Sequence, residues 1–212
     1  PVATVVRLAK PFDAEAVRKS IASLPTVFLP IRLAVNQFTV TDGRYHQDGF
    51  DTGLFNITML TGAFSGEDLH VEKLDISHAL GDLSLDGKMR FHDYYPMAFQ
   101  LRAASKLPWL DGELKGRAAT LQVTGPLTDL RTRLVIDGEE KLQLDARLNT
   151  LVEQLPFDFS AKWHQLSWPL KGKAEYQLTS GDIKSDGTLG KYHLQLHSQV
   201  KALTFPSVNI HF

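Results

Sequence analysis

Leu29-Pro30-Ile31-Arg32-Leu33-Ala34-Val35, Tyr95-Pro96-Met97-Ala98-Phe99-Gln100-Leu101 and Leu155-Pro156-Phe157-Asp158-Phe159-Ser160-Ala161 share one pattern. A bulky residue precedes a proline, and apolar side chains then occupy every second position. Side chains alternate across a strand, so period two marks a strand with one apolar and one wet face. Proline has no N–H to give to a ladder and suits a strand start or an unpaired edge.

The same alternation fills nearly everything after residue 30. Strands of about 5–9 residues are separated by Gly, Asp-Gly or Pro. The phase slips twice. Ile31, Leu33 and Val35 are odd whereas Phe38 and Val40 are even, which predicts a bulge or turn at Asn36-Gln37. Leu69/Val71 against Leu74/Ile76 predicts a second slip at Glu72-Lys73. Asp42-Gly43, Asp86-Gly87, Asp111-Gly112, Asp137-Gly138 and Asp186-Gly187 read as hairpin turns, because glycine accepts positive φ.

One helix is predicted, near the start. Asp13 can cap it, Glu15 lies in its first turn, Ala14, Val17, Ile21 and Leu24 form a stripe, and Pro25 and Pro30 end it. Three turns are too short to roof a large sheet. Leu114-Lys115-Gly116-Arg117-Ala118 recurs 56 residues later as Leu170-Lys171-Gly172-Lys173-Ala174, and Gly125 and Gly181 keep that offset. Pro96 and Pro156 stand 60 apart. The organisation expected is a short helix and linker over 1–30, then a repeated β segment over 31–212 with repeat starts near 30, 95 and 155.

At 43% apolar and 22% charged, the 212 residues are neither disordered nor a helix bundle of the membrane. Net charge is −1 with interspersed signs, so a nucleic-acid partner is not expected. Without cysteine there are no disulfides, thiolate metal sites or thiol catalysis. No apolar run is long enough for a transmembrane helix. The chain begins at Pro1 and ends inside an alternating run, which reads as a piece of a longer protein.

Catalytic motifs are missing too. Gly62-Ala63-Phe64-Ser65-Gly66 has the wrong spacing for a nucleophile elbow. His193 and His197 share a strand face but stand ~13 Å apart, too far to chelate one ion. His70, His78 and His92 fall on polar phases, and Glu139-Glu140 and Glu67-Asp68 read as loop acids. Neither an enzyme nor a cofactor is expected. Outer-membrane barrels also alternate, but the Trp and Tyr residues show no girdle rhythm.

Some fifteen strands in one sheet would extend on the order of 70 Å. Soluble proteins rarely expose apolar patches beyond a few hundred Å². The face must close into a sandwich or barrel, or roll into a trough that shelters something apolar. The fold class expected is mostly β: an extended, rolled antiparallel sheet with an apolar concave face. By parity alone the groove is lined by Leu33, Val35, Phe38, Leu83, Leu85, Met89, Phe91, Met97, Phe99, Leu101, Leu114, Leu121, Val123, Leu134, Ile136, Leu142, Leu144 and Leu148. Phe157, Phe159, Trp163, Tyr176, Leu178, Leu194, Leu196 and Val200 continue it. Leaving a 16-carbon acyl chain in water costs on the order of 12 kcal/mol, and a continuous groove removes that cost at each step.

From His92 to Val200 the chain resembles the TamB family, the large periplasmic subunits of the translocation and assembly module of Gram-negative bacteria. The resemblance is carried by Tyr95-Pro96, Leu110-Asp111-Gly112-Glu113-Leu114-Lys115-Gly116, Leu121-Gln122-Val123-Thr124-Gly125 and Asp145-Ala146-Arg147-Leu148 followed by Leu155-Pro156. Gln165-Leu166-Ser167-Trp168-Pro169-Leu170-Lys171-Gly172 and Gly190-Lys191-Tyr192-His193-Leu194 extend it. It implies a periplasmic portion of an inner-membrane-anchored protein with a β-taco fold, akin to AsmA-like and bridge-like lipid transfer proteins. It also implies phospholipid movement to the outer membrane, a role in outer-membrane protein and autotransporter assembly, and engagement of the outer-membrane barrel TamA through a region outside this chain. No site residues come from the resemblance. Two other readings stay open: a chaperone-like scaffold holding precursors by strand addition, and a closed β-domain or barrel fragment. An exposed trough would also favour a homodimer.

Overall fold

The structure, a computed structural model, describes residues 26–47, 50–51, 53–106, 118–136, 141–168, 176–202 and 208–211. The expected helix, Leu110, Leu114 and both Leu-Lys-Gly segments lie outside them. The strands are β1 (Leu29–Gly43), β2 (His46–Gln47), β3 (Phe50–Asp51), β4 (Phe55–Gly66), β5 (Asp68–His78), β6 (Gly81–Arg90) and β7 (Met97–Ser105). They continue as β8 (Ala118–Gly125), β9 (Leu130–Ile136), β10 (Lys141–Leu148), β11 (Phe157–Trp168), β12 (Tyr176–Thr188), β13 (Lys191–Ala202) and β14 (Val208–His211).

β2 and β3 form a small hairpin, and the other strands form one 12-stranded sheet in sequence order, β1-β4-β5 through β14. Each pairs antiparallel with the next, as a chain of short alternating runs joined by tight connections should. β1 and β14 do not meet, so the sheet is open. At about 4.8 Å per strand it extends about 50 Å, less than the sequence suggested because some strands are longer and fewer.

Both phase slips are present. The β1–β4 register shifts between Val35 and Phe38, and the β5–β6 register between Val71 and Leu74. Two of the Asp-Gly readings need correction. Asp86-Gly87 and Asp186-Gly187 lie inside β6 and β12, and the β12–β13 turn is Leu189-Gly190. Their glycines face large neighbours rather than turning the chain: Gly87 pairs with Phe99, and Gly187 with Phe157 and Tyr192.

Pro96 and Pro156 directly precede β7 and β11. The carbonyl of Pro96 accepts from Arg90 N at 3.0 Å and that of Pro156 from Asn149 N at 3.1 Å. The residue before each proline holds a positive φ, 56° at Tyr95 and 44° at Leu155. Pro30, by contrast, lies within β1, an outer strand of the described sheet, where proline is tolerated. The glycine landmark also moves. Met97 pairs with Gly125 and Phe157 with Gly187, so Gly187 rather than Gly181 is the structural counterpart of Gly125.

One rim of the sheet is stitched. Connections that are not sequence neighbours share backbone hydrogen bonds: Phe91 N to Glu67 O at 2.8 Å, Leu127 N to Tyr94 O at 2.8 Å, Thr150 N to Leu127 O at 2.9 Å and Leu189 N to Gln154 O at 3.1 Å. The Thr150 hydroxyl also donates to Leu127 O at 2.7 Å. These bonds satisfy loop groups that a single layer would otherwise leave to water. They also restrain the positive-φ residues Asp93, Tyr94 and Tyr95.

Candidate functional site

Directly paired residues on neighbouring strands share a face. Following the pairings from β1 to β13 gives one row: Phe38, Leu60, Leu74, Leu85, Leu101, Leu121, Leu134, Leu144, Ala161, Ile183, Leu196. Every member is apolar. The parallel row on one side is Val40, Ile57, Ile76, Leu83, Ala103, Ala119, Ile136, Leu142, Trp163, then Gly181 and Ser198. On the other side run Val35, Gly62, Val71, Gly87, Phe99, Val123, Thr132, Ala146, Phe159, Ser185 and Leu194.

A fourth row lies toward the stitched rim. It holds Leu33, Phe64, Leu69, Met89 and Met97 in the first half, and Leu130, Leu148, Phe157, Gly187 and Tyr192 in the second. Phe91 stands just beyond it, edge-on to Phe64 at 5.6 Å and to Tyr95 at 6.0 Å between ring centroids. Phe157 and Tyr192 approach to 6.4 Å.

The parity list therefore falls on one face over most of its length. Toward the far end, the β12–β13 register shifts between Leu178 and Ser180, which places Leu178 opposite Val200 and Leu166. Tyr176 pairs with Trp168 and Ala202. Sequence reasoning left out Ile57, Leu60, Phe64, Leu69, Val71, Leu74, Ile76 and Ile183. In β4 the register shift between Ile57 and Met59 flips the phase, and Gly62 then leaves a gap in the apolar run from Leu60 to Phe64. In β12 the apolar phase is carried by Gly181, Ile183 and Ser185, too little hydrophobic content to register as a strand face. The β5 residues alternate visibly and only the list omitted them.

No second layer covers this face among the described residues. Each strand packs only on its hydrogen-bonded neighbours. Leu155 at 5% and Ala161 at 7% exposure are the only buried hydrophobic residues described, and no described side chain falls below 2%. A sealed sandwich of this size would bury many large side chains completely. The face is most open toward its two ends, with Leu33 53% and Phe38 48% exposed on β1 and Tyr192 58% and Leu194 48% on β13.

The opposite face is charged. One of its rows reads Asp86, Gln100, Gln122, Arg133, Asp145, Ser160, Lys184, Gln195. Arg133 and Asp145 pair at 3.7 Å, and Arg102 and Asp86 at 3.8 Å. On the same charged face His197 lies 3.4 Å from Asp182 and His193 3.8 Å from Asp186. Exposed pairs of this kind contribute little each.

The strongest is at Asp129, in the β8–β9 connection. Arg147 and then Arg131 hydrogen-bond its carboxylate and hold its pKa at about 2 against an ordinary 3.8. A depressed carboxylate pKa stabilises the fold above 3.8, and that contribution is lost as pH falls through about 2. We expect Asp129→Asn to flatten the fall in urea midpoint between about pH 4 and pH 2 relative to the parent chain. Identical acid limbs in the two proteins would show that the clamp does not act.

Among the described residues no group of His, Asp and Glu is placed to hold a metal ion, and no helix is long and apolar enough to cross a membrane. No solved structure matches the chain. Residues 6–212 match the model of the TamB N-terminal domain, which spans nearly the whole sequence, and the chain belongs to the TamB family.

Proposed function

We propose that this chain is a segment of an apolar β-groove that shelters phospholipid acyl chains between the inner and outer membranes of a Gram-negative envelope. The observation that carries the reading is the unbroken row from Phe38 to Leu196, over which no second layer packs among the described residues. An alkyl chain laid across such a row gains about 0.8 kcal/mol for each CH₂ removed from water, without any directional contact. Loose selectivity and the lack of catalytic groups follow from that physics. The segment works without a cofactor and without enzymatic chemistry. It belongs to the periplasmic portion of an inner-membrane-anchored protein, and TamA is engaged by a region outside it. A role in outer-membrane protein assembly would rest on the same groove.

Native mass spectrometry of the purified chain tests this. Diacyl phospholipid should be retained through gentle desolvation and be removed by detergent exchange. A chain that stays well ordered, monomeric and lipid-free after exposure to phospholipid vesicles would defeat the proposal.

One feature favours a second reading. β1 is a 15-residue edge strand whose Ile31, Leu33 and Phe38 are strongly exposed. Such an edge can accept an extended segment by strand addition. Binding of an unfolded outer-membrane strand peptide, abolished by proline substitution along β1 with lipid retention intact, would identify that activity.

A further inference from the structure

Two polar atoms interrupt the apolar face without partners of their own. Trp163, Gly181 and Ser198 form one cross-strand row on β11, β12 and β13. The indole lies over Gly181: a Cβ placed there would be 2.3 Å from Trp163 Cζ2 and 2.5 Å from Cε2. Cε2 carries the indole nitrogen, so the nitrogen-bearing side of the ring lies close to Gly181, which stands between Trp163 and Ser198 in the row. Trp163 Nε1 and Ser198 Oγ are both shielded from water and neither has a hydrogen-bond partner. Ser198 itself is only 8% exposed.

The contrast with Ser185 is informative. It is equally buried on the same face, yet its hydroxyl donates to His193 O at 2.8 Å. A buried donor left unpaired costs about 1–3 kcal/mol, so an arrangement that leaves two in one cross-strand row is one an acceptor can relieve.

We propose that Trp163 Nε1 and Ser198 Oγ form a polar waypoint in the groove that holds the ester carbonyl of a glycerolipid. The inference rests on the groove reading above and adds the ligand class at one position. Both donors are neutral, and the adjoining positions of the row and its neighbours, Leu142, Ile183 and Leu196, are apolar. A site of that kind suits a neutral carbonyl oxygen and disfavours a phosphate, whose charge would be buried without a counter-charge. Reaching the donors takes a shift of the indole edge, and Gly181 has no side chain beneath the ring to oppose it. An alkyl chain passes without consequence, whereas the acyl ester pauses there.

The test compares dioleoyl phosphatidylglycerol with its dialkyl ether analogue, which keeps the tails and headgroup but lacks ester carbonyls. Binding to the chain is read by native mass spectrometry and by Trp163 emission in a Trp109→Phe/Trp168→Phe background. We expect the diester to bind about tenfold more tightly, as two recovered hydrogen bonds would give. Ser198→Ala and Trp163→Phe should each bring the ratio of diester to diether affinity toward one. Trp163→Phe keeps an aromatic ring beside Gly181, and Ser198→Ala is the milder of the two changes to the fold. Equal affinity for the two lipids in the parent chain overturns the waypoint and leaves the groove standing. Absence of binding by either lipid overturns both.

Discussion

Leu144→Glu should leave the sheet folded and strip it of phospholipid. Leu144 sits midway along the row from Phe38 to Leu196, between Leu134 and Ala161 on the flanking strands. Its side chain is half-buried by neighbours on its own face, and no described element packs above it. A glutamate there loses roughly 1–2 kcal/mol of cross-strand packing but keeps its carboxylate in water. An acyl chain crossing the position would have to strip that carboxylate of water without a partner, which no dispersion contact offsets. We expect lipid retained per chain to fall by about tenfold or more, with far-UV dichroism unchanged. Thr120→Glu is the control. Thr120 lies on the charged face, opposite Arg102, where a new carboxylate is solvated and favourably paired. It should retain lipid fully. Collapse of cooperative folding in Leu144→Glu would mean that the row is a sealed core. Full lipid retention would mean that the ligand does not lie along it.

The pattern of burial explains why one substitution can separate these outcomes. In a two-layer β-domain the residues that define the fold and those that meet a ligand are different sets, because packing consumes one face of each sheet. On the groove reading, a single layer with one apolar face makes them the same set. Fold stability then comes from strand pairing and lateral contacts within the face, and the face remains available for a guest. The stitched rim at Glu67, Tyr94, Leu127 and Gln154 adds support that does not use the face at all.

That economy also sets how much could be read from sequence. Period-two alternation identified the sheet, and its phase slips located the bulges at Asn36-Gln37 and Glu72-Lys73 because a one-residue shift flips every following side chain. The same rule hid β4, whose phase flips between Ile57 and Leu60 and whose later run is interrupted by Gly62, so that no stretch is long enough to show a period. Asp-Gly pairs misled at residues 86 and 186 because local turn chemistry and cross-strand accommodation demand the same residue. Only the partner strand reveals which applies, and Phe99 and Tyr192 are partners supplied by topology. Trp163 was visible as a face residue. The unpaired state of its nitrogen was not, since that depends on Gly181 and Ser198, far along the chain.

Gly87→Ala should destabilise the chain by about 2–4 kcal/mol. Gly87 holds φ +154°, and an added Cβ would lie 2.4 Å from the Ala98 carbonyl oxygen and 2.4 Å from Phe99 Cδ1. The second clash can be relieved by the side chain, but the first is with the backbone of the paired strand β7. Phe99→Ala in the same chain should therefore fail to restore stability, although it removes the ring. Gly190→Ala supplies the comparison, because nothing lies within 4 Å of a Cβ there and the change should be near neutral. The damage should also be local. Each strand contacts only its immediate neighbours, so the sheet behaves as a linear array whose coupling passes from one interface to the next. Amide exchange should rise across β5 to β8 and change little in β12 and β13, with the unfolding transition broadening as the two halves separate. A Gly87→Ala chain within about 0.5 kcal/mol of the parent, or protection lost uniformly from β4 to β13, would mean that the sheet is held by something other than its strand-to-strand interfaces.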